Sequence, residues 1–368
     1  LDGKKSLVEK RLGDRVGHFM NPALLASQME ALEVPDYGLK VTIDSSPEKI
    51  VQDIIKNFKK MESKSDFGVI GMGVMGKSLA LNLADNGVNI SIYNRYVEGK
   101  EEGVAAKVLE ENPAYLTIQP FENISEFVAS LSSPKSILLM IPAGKAVDLQ
   151  IQELIPLLNE GDIIIDGGNS FYKDTIQRSE LLKEKGILFV GTGVSGGEEG
   201  ARRGPSIMPG GDKEGFSKIK GFLEKIAAKD FQGSPCVTYV GPGGSGHFVK
   251  MVHNSIEYGE MQAIAEVYSL MRNYLQLDPI KIASIFEKWM DSDLSSYLLE
   301  ITIDILRKYE NGEPLIDKIL DQAAQKGTGG WSLNTALEYG VPYGVLGVAV
   351  MARNLSAGKG LRMISSGL

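Results

Sequence analysis

"FGVIGMGVMGKS", residues 67–78, combines a short apolar run, a glycine-rich turn and the start of a helical pattern. Gly71, Gly73 and Gly76 match the dinucleotide-binding fingerprint, in which glycine permits a tight turn, close approach of the backbone to a pyrophosphate and close packing of helix on strand. The stretch therefore predicts the first strand, turn and helix of a dinucleotide-binding domain. The residues predicted to contact the cofactor here are Gly71, Gly73, Val74, Met75 and Gly76.

The same stretch also satisfies a second phosphate-binding pattern. Gly71, Gly76, Lys77 and Ser78 fit the P-loop of nucleotide-binding phosphotransferases, and the later run "IIIDGG" could serve as the acidic strand of such a site. A glycine turn without a ligand is the third possibility. Taken alone, the stretch leaves these alternatives open.

The end of the second predicted strand favours the dinucleotide interpretation. That strand, "VNISIYN", ends in Asn94 and is followed by Arg95, at the place where an acidic residue usually binds the bare ribose of NAD. A guanidinium there would instead pair with the 2'-phosphate of NADP. We therefore predict NADP as the cofactor, with Asn94 and Arg95 among its contacts.

Strand and helix patterns alternate along the next part of the chain. Short apolar runs recur between helical patterns, as in "SILLMIPA", "DIIIDGG" and "ILFVG". Strands that are apolar on both faces are typical of parallel sheets buried between helices. We predict a Rossmann-type α/β domain with a doubly wound parallel sheet over residues 66–241 and a mostly α-helical domain over residues 242–368. A linker over residues 61–65 follows a short α/β segment, residues 1–60.

The composition argues against several classes of protein. The 368 residues carry a net charge of -8 without a basic cluster, which disfavours nucleic acid or an anionic membrane as a partner. No apolar run reaches the length of a membrane span, and the start is more charged than a signal peptide. The single cysteine, Cys236, suits a reducing compartment, so we expect a cytoplasmic protein. The three histidines are not spaced as metal ligands, and we predict no metal site.

Two polar loops follow predicted strands, at the edge where open α/β sheets bind ligands. In "DIIIDGGNS", Asn169 can donate and accept hydrogen bonds beside a nicotinamide or a substrate hydroxyl, although an Asn-Ser helix cap explains the pair as well. In "VGTGVSGGEEGARRGPSIMPGG", the amides of Ser195, Gly196 and Gly197 can approach a small anion such as a carboxylate. A flexible turn is the alternative for this second loop.

A third group of polar residues lies on one predicted helix face. In "HFVKMVHNSIEYGE", residues 247–260, five different polar side chains recur at offsets of three, four, seven and eight. The opposite face, which includes Val249 and Ile256, is apolar. The stretch is therefore either an ordinary amphipathic helix with a wet polar face or a reaction site. The five polar residues are Lys250, His253, Asn254, Glu257 and Tyr258.

Together these motifs resemble the 6-phosphogluconate dehydrogenase family from about Asp66 to the end of the sequence. The resemblance rests on "IIIDGGNS", "GVSGGEEGAR", "GHFVKMVHNSIEYGEMQ" and "QKGTGGW". The sequence also resembles the simpler β-hydroxyacid dehydrogenases at the glycine fingerprint and at the pair Lys250 and Asn254. That resemblance does not extend to Glu257, Tyr258 or the "KGTG" loop. The resemblance implies NADP-dependent oxidation and decarboxylation of 6-phosphogluconate to ribulose 5-phosphate, a step of the pentose phosphate pathway.

The resemblance also implies roles for individual residues. Lys250 would accept the proton of the substrate 3-hydroxyl. After carbon dioxide has left, Glu257 would protonate C1 of the remaining enediol, giving ribulose 5-phosphate. Asn169, His253 and Asn254 would hold the substrate. The residues that would meet the substrate carboxylate are Ser195, Gly196 and Gly197. Those that would meet its phosphate are Tyr258, Lys326, Thr328 and Arg353.

The sequence departs from the family pattern in three places. Pro142 stands where many members carry lysine, and Gly73 where NADP-using members often carry alanine, so Arg95 carries most of the predicted preference for NADP. The sequence ends in "ARNLSAGKGLRMISSGL", before the family's C-terminal portion with its dimer contacts. We therefore expect a homodimer for the complete protein. The alternative for these residues alone is an NADP-binding remnant without turnover.

Residues 1–60 have a resemblance of their own. "LVEKRLGDRVGHFMNPALLASQMEALEVP" resembles the closing part of a gluconate kinase, whose P-loop would lie upstream. Because such a kinase makes 6-phosphogluconate, a gene fusion of two consecutive steps of gluconate utilisation is a hypothesis. The residues that carry this resemblance are Arg11, Arg15, Gly17, His18 and Phe19.

Overall fold

The structure, a computed structural model, describes residues 8, 10, 44–51, 54, 64–324 and 327–366. The chain forms two compact units, Leu1–Gly246 and His247–Leu368. Residues 1–60 fall mostly outside the described ranges, so their resemblance to gluconate kinase stays a prediction. Among the described residues, no helix is both long enough and apolar enough to cross a membrane.

A seven-stranded sheet forms the centre of the first unit. Its order is β3-β2-β1-β4-β5-β6-β7, with β1 to β6 parallel and β7 antiparallel to β6. The first six strands have the order of the doubly wound dinucleotide-binding fold. The strands are β1 (Phe67–Ile70), β2 (Ile90–Tyr93), β3 (Ile118–Phe121), β4 (Ser136–Leu139), β5 (Ile163–Asp166), β6 (Leu188–Ser195) and β7 (Ser206–Gly211).

Helices follow the strands and cover both faces of the sheet. Along β5, Ile163 and Ile165 pack into the apolar cluster on one face, and Ile164 packs into the cluster on the other. Because alternate side chains of a strand point to opposite faces, an uninterrupted apolar run suits a strand that is covered on both sides. The helices are α1 (Val74–Asp85), α2 (Val104–Glu110), α3 (Ile124–Ala129), α4 (Lys145–Leu154), α5 (Tyr172–Lys183), α6 (Gly197–Arg203) and α7 (Lys213–Ile226), with a 3-10 turn at Ile155–Leu157.

The predicted doubly wound parallel sheet is confirmed, and the sequence predicted five of its seven strands but not β3 or β7. β3, "IQPF", contains a proline, and β7, "SIMPGG", contains a proline and two glycines. Proline and glycine are both depleted in strands, so neither segment reads as one. β7 adds an antiparallel edge to the sheet. It also shows that much of the glycine-rich stretch after Ser195 is regular structure, not a flexible turn.

The second unit is mostly helical, as the sequence predicts. Phe286 of one helix packs with Leu299, Ile303 and Leu306 of the next in its apolar core. A hairpin of two very short strands was not predicted. The elements from Ser245 onward are α8 (Ser245–Ser269), a π-helical turn (Leu270–Tyr274), α9 (Pro279–Trp289), α10 (Tyr297–Leu306), β8 (Tyr309–Glu310), β9 (Glu313–Pro314), a 3-10 turn (Leu315–Lys318), α11 (Thr328–Glu338), α12 (Gly344–Ala357) and α13 (Lys359–Ser366).

Candidate active site

The glycine-rich turn joins β1 to α1 through only three residues, 71–73. Gly71 has a φ of +94°, and a Cβ there would lie 2.5 Å from the carbonyl oxygen of Met140. A Cβ at Gly76 would lie 1.8 Å from the carbonyl oxygen of Gly71, so the helix passes close to the turn. Both positions therefore require glycine. A Cβ at Gly73 would meet nothing within 4 Å, which leaves open space beside the turn.

The start of α1 is suited to bind an anion. Gly73 is its N-cap and supplies no side-chain hydrogen bond, and Val74, Met75 and Gly76 form its first turn. The first amides of a helix lack acceptors within the helix, and the helix dipole adds positive potential at that end. All five residues predicted at the fingerprint thus lie in one turn with the geometry of a phosphate site.

The same geometry argues against the P-loop alternative. In a P-loop the residues between the first glycine and the lysine form a loop whose amides surround the phosphates, and the lysine reaches the phosphates of the nucleotide. Here α1 has already begun at Val74, and Lys77 forms an ion pair with Glu111. The order of the sheet, with β1 between β2 and β4, is also that of the dinucleotide-binding fold.

A cleft of about 490 Å³ opens beside the turn. It is lined by residues at the ends of β1, β2 and β4, where the strand order reverses and doubly wound folds bind their ligands. The lining includes Gly71, Gly73, Asn94 and Arg95, so the structure brings these predicted cofactor contacts together. Pro142, the departure from the family's lysine, also lines the cleft.

Asn94 and Arg95 share a partner that the sequence did not reveal. The amide of Met72 donates to Oδ1 of Asn94 over 3.0 Å, and Nδ2 of Asn94 donates to Oε2 of Glu101 over 3.0 Å. Arg95 donates to Glu101 from Nη2 over 2.9 Å and from Nε over 3.3 Å. This pairing lowers the pKa of Glu101 and raises the pKa of Arg95, so both groups are charged. Arg95 is nevertheless 68% exposed and accessible to a ligand.

Asn169 is exposed in the loop between β5 and α5, and buried polar groups anchor that loop. Asp166, fully buried, accepts hydrogen bonds from Ser170 Oγ over 2.7 Å and from the Gly168 amide over 3.1 Å. The predicted alternative, an Asn-Ser helix cap, is not observed, because the N-cap of α5 is Phe171. Asn169 is therefore presented at the ligand-binding edge of the sheet by a fixed loop.

Arg178 of α5 ties this loop to the one that follows β4. Its side chain is buried and donates to Asp148 over 2.7 Å and to the Gly144 carbonyl over 3.1 Å. It also donates to Ser170 Oγ over 3.3 Å and to Asp166 over 3.4 Å. A buried cation with four acceptors holds both loops in place, because leaving any of these groups unpaired would be costly.

The predicted anion-binding loop begins where β6 ends. Ser195 is the last residue of β6 and is buried, and Gly196 is the N-cap of α6. Gly196 and Gly197 have φ angles of +130° and +60°, which glycine adopts without strain. Their role in binding a carboxylate stays a prediction.

On α8 the polar face is more buried than the sequence pattern suggests. Lys250 is only 8% exposed, whereas Val249 and Ile256 of the apolar face are 37% and 54% exposed. His253, Asn254, Glu257 and Tyr258 are all half-buried. An ordinary amphipathic helix would show the reverse, so the interpretation as a wet surface helix is wrong.

Burial changes the chemistry of Lys250. Loss of hydration disfavours the ammonium form and lowers the pKa of Lys250, while the charge of Glu257 acts in the opposite direction and offsets part of that effect. A buried lysine with a lowered pKa can accept a proton near neutral pH. Glu257 Oε2 lies 3.6 Å from Nδ1 of His253. Together with Lys250, these residues place three titratable groups on one stretch of α8.

The remaining predicted residues of the second unit meet at the start of α11. Asn254 Nδ2 donates to Thr328 Oγ1 over 3.3 Å, and Thr328 is the first residue of α11. Arg353 lies over the ring of Tyr258, with Cζ 3.7 Å from the ring centroid, and Nη1 donates to the carbonyl of Ala324 over 2.7 Å. A helix N-terminus, an arginine and a tyrosine together suit a phosphate. Lys326 lies outside the described residues.

Two of the residues that shape these sites were missed by sequence reasoning. Glu101 stands six residues beyond Arg95, and Arg178 lies 12 to 34 residues from its acidic partners and the Gly144 carbonyl. Spacing along the chain gives no sign of either pairing, because both depend on turns that bring separate segments together. Within the described ranges, no group of three or more side chains could hold a metal ion.

Two family models, one for each domain of the same enzyme, match the chain. The NAD binding domain of 6-phosphogluconate dehydrogenase matches residues 66–241, and the 6-phosphogluconate dehydrogenase C-terminal domain matches residues 246–368. Among solved structures, the 6-phosphogluconate dehydrogenase of Plasmodium falciparum superposes with a TM-score of 0.77 at 42% identity, covering 82% of this chain and 64% of that one. A Mycobacterium tuberculosis 3-hydroxyisobutyrate dehydrogenase shares the fold, with a TM-score of 0.59 at 18% identity over 80% of this chain and 93% of that one.

Curated relatives give the same result. The decarboxylating 6-phosphogluconate dehydrogenase of Escherichia coli strain K12 is 50% identical over 305 residues, and the NADP(+)-dependent enzyme of Bacillus subtilis strain 168 is 51% identical over 308 residues. Each alignment covers 83% of this chain and 64% of the relative, so the chain spans just under two thirds of the length of these proteins. The two matching domains together account for the sequence from residue 66 almost without interruption. The chain therefore belongs to the 6-phosphogluconate dehydrogenase family.

Proposed function

We propose that the protein catalyses the NADP-dependent oxidative decarboxylation of 6-phosphogluconate to ribulose 5-phosphate. The observation that carries this proposal is Lys250, a buried lysine with a lowered pKa, on the same helix face as Glu257. The names of the curated relatives support the reaction, and that of the Bacillus subtilis relative supports the cofactor. The related Plasmodium falciparum enzyme is described with NADP+ and with 6-phosphogluconate.

The oxidation step requires a base at the 3-hydroxyl of the substrate. Neutral Lys250 accepts the hydroxyl proton, and its lowered pKa makes that neutral form available. NADP, when bound, would supply the acceptor for the hydride that leaves C3. The first turn of α1, with open space at Gly73, fits the pyrophosphate, and Arg95 fits the 2'-phosphate.

The decarboxylation step follows from the same lysine. Protonated Lys250 donates to the new C3 ketone, which takes up the electrons of the C1–C2 bond as carbon dioxide leaves. The resulting enediol needs a proton on carbon. Glu257 supplies it at the former C2 of the substrate, which becomes C1 of ribulose 5-phosphate. A separation of seven residues places Glu257 two helical turns from Lys250, about 10 Å along the axis, so the two groups flank a ligand.

The remaining residues position the substrate in this proposal. Thr328, Tyr258 and Arg353 hold the phosphate, and Lys326 adds a further cation. Ser195, Gly196 and Gly197 bind the carboxylate with their amides. Hydroxyl groups are held by the side chains of Asn169, His253 and Asn254. We further propose that the complete protein is a cytoplasmic homodimer.

Arg95→Asp should weaken the binding of NADP selectively. A guanidinium paired with the 2'-phosphate makes charge-assisted hydrogen bonds worth about 1.5–3 kcal/mol, so the dissociation constant of NADP should rise at least about tenfold. The dissociation constant of NAD should change little, because NAD lacks that phosphate. Titration calorimetry of both cofactors measures the two constants. Lys100→Asp is the control for added negative charge in the same exposed segment. Equal shifts for NADP and NAD in Arg95→Asp would refute the assignment.

Glu257→Gln should separate the two chemical steps. Without the carboxylate, protonation at C1 loses its acid, and solvent-proton exchange at C1 of ribulose 5-phosphate should slow by about 100-fold. The Glu257 charge raises the pKa of Lys250, so its removal should lower that pKa further and move the acidic limb of the kcat/KM profile to lower pH.

Proton exchange at C1 of ribulose 5-phosphate is measured by nuclear magnetic resonance in deuterated buffer. The acidic limb of the kcat/KM profile is measured from initial rates across a range of pH. Glu260→Gln, a half-buried glutamate on the same helix, provides the matched control. Undiminished exchange in Glu257→Gln, or an acidic limb that moves to higher pH, would argue against the role of Glu257.

The proposal as a whole is tested by binding and turnover. The 368 residues should bind NADP and not ATP, since the turn before α1 has dinucleotide geometry. ATP binding without NADP binding would instead support a phosphotransferase. Turnover of 6-phosphogluconate is assayed on these residues and on the same sequence extended with the C-terminal third of a curated relative, because the chain spans 64% of such proteins. A chain that binds NADP but turns over in neither form would be a binding-only remnant.

A further inference from the structure

Glu101 lines the cofactor cleft beside Asn94 and Arg95. The sequence pattern predicted only an amide and a cation at this place, and no acid. The backbone turns back between Val97 and Glu101, whose amides and carbonyls pair over 3.0 and 2.8 Å around Gly99 at a φ of +71°. The turn brings the Glu101 carboxylate against the side chains of Asn94 and Arg95. Glu101 also lines the cleft that contains the glycine turn.

The Glu101 carboxylate thus lies at the position where NAD-binding sites have an acidic residue. In such sites a carboxylate at the end of the second strand accepts a hydrogen bond from the ribose 2'-hydroxyl. Asn94, the residue after β2, donates to Oε2 of Glu101 over 3.0 Å, so the carboxylate lies at the end of that strand although it belongs to the following turn. The cleft therefore contains both an acceptor for a 2'-hydroxyl and a cation for a 2'-phosphate.

The two groups compete for one ligand position. Arg95 has five N–H donors, and those on Nε and Nη2 already serve Glu101. A 2'-phosphate that binds Arg95 must share the guanidinium with this carboxylate, at a separation below the Debye length of about 8 Å, where salt does not screen the repulsion fully. NAD meets no such repulsion and gains an acceptor.

We propose that Glu101 is a specificity-determining residue that weakens the binding of NADP and strengthens the binding of NAD. It therefore reduces the preference for NADP over NAD that Arg95 creates. This inference rests on the proposed function, since it concerns the cofactor of that reaction. Glu101 and Arg95 then have opposite effects on cofactor preference, so removal of the Glu101 charge should shift that preference towards NADP.

The test is Glu101→Gln, which keeps the size of the side chain and one acceptor oxygen but removes the charge. The dissociation constant of NADP should fall about threefold and that of NAD should rise about threefold, as expected for charge interactions at a partly exposed site. The ratio of the two constants should thus shift about tenfold towards NADP. The same sign is expected for 2',5'-ADP against ADP, which probe only the adenosine end. Titration calorimetry supplies these constants without any enzymatic turnover.

Glu98→Gln is the matched control, because it removes the same charge from an exposed side chain of the same turn that does not line the cleft. It should leave the ratio unchanged. Weaker NADP binding in Glu101→Gln would overturn the inference, since Glu101 would then serve to hold Arg95 for the phosphate. An unchanged ratio, or an equal shift in Glu98→Gln, would also overturn it. If the unmutated protein bound neither NADP nor NAD, the proposed function itself would fail.

Discussion

Replacing Lys250 with methionine should reduce the oxidation of 6-phosphogluconate by at least about 1000-fold, the upper range for loss of a positioned acid-base group. Methionine keeps much of the length and apolar stem of lysine and cannot accept a proton. Both chemical steps should be lost together, because one amine first takes the proton from the 3-hydroxyl and then polarises the ketone. The initial rate of NADPH formation, on the sequence extended with a relative's C-terminal third, measures the loss.

Stability and binding distinguish this catalytic effect from unfolding. Because burial disfavours the charged amine, its removal should not lower the melting temperature. NADP binding should also persist, since the glycine turn and its cleft belong to the first unit. Lys281→Met replaces an exposed lysine of the second unit and should leave the rate unchanged. A rate for Lys250→Met within tenfold of the unmutated protein would mean that another group is the base.

Gly76→Ala should disrupt the first unit and abolish NADP binding. The new methyl group would lie 1.8 Å from the carbonyl oxygen of Gly71, which is backbone and cannot move away as a side chain can. Either α1 shifts outward or the turn deforms, and we expect a loss of at least about 3 kcal/mol in the free energy of unfolding, the upper range for overpacking. Urea unfolding, with calorimetry of NADP binding, measures both effects.

Gly73→Ala is the matched control for that change. It adds the same methyl group three residues earlier, at a φ of -67° that alanine adopts freely, and the group would meet nothing within 4 Å. Its free energy of unfolding should stay within about 0.5 kcal/mol of the original, as for most changes that touch no other group. NADP binding should survive, because the added methyl group displaces neither the turn nor the start of α1. Equal losses in the two variants would show that the turn is not built as described.

Local patterns predicted the parts of the fold that local chemistry determines. The turn over residues 71–73 and the strands "FGVI" and "IIID" are recognisable because glycine spacing and apolar runs each reflect a single physical requirement. β7 escaped because its proline and glycines are unfavourable in an isolated strand, and it is stabilised by its pairing with β6. That pairing is a tertiary interaction and leaves no periodicity in the sequence.

The candidate site shows the same division. The polar residues of α8 were found from their helical spacing. The spacing did not show which side of the helix is buried, because burial depends on what surrounds the helix. Lys250 is buried and Ile256 is exposed, against the order of their hydropathies. Glu101 and Arg178 were missed since their partners approach through turns. The polar residues of the candidate site were thus recognisable in the sequence, while Glu101 and Arg178, which pair with neighbouring groups, were not.

The most direct test of the proposed function follows two products of one reaction. 6-Phosphogluconate labelled with a carbon isotope at C1 is incubated with NADP and the extended chain, and NADPH and labelled carbon dioxide are measured together. We expect both to form in equal amounts, and neither with Lys250→Met. NADPH without labelled carbon dioxide would contradict the proposal, because the protein would then be a simple dehydrogenase that does not decarboxylate its substrate.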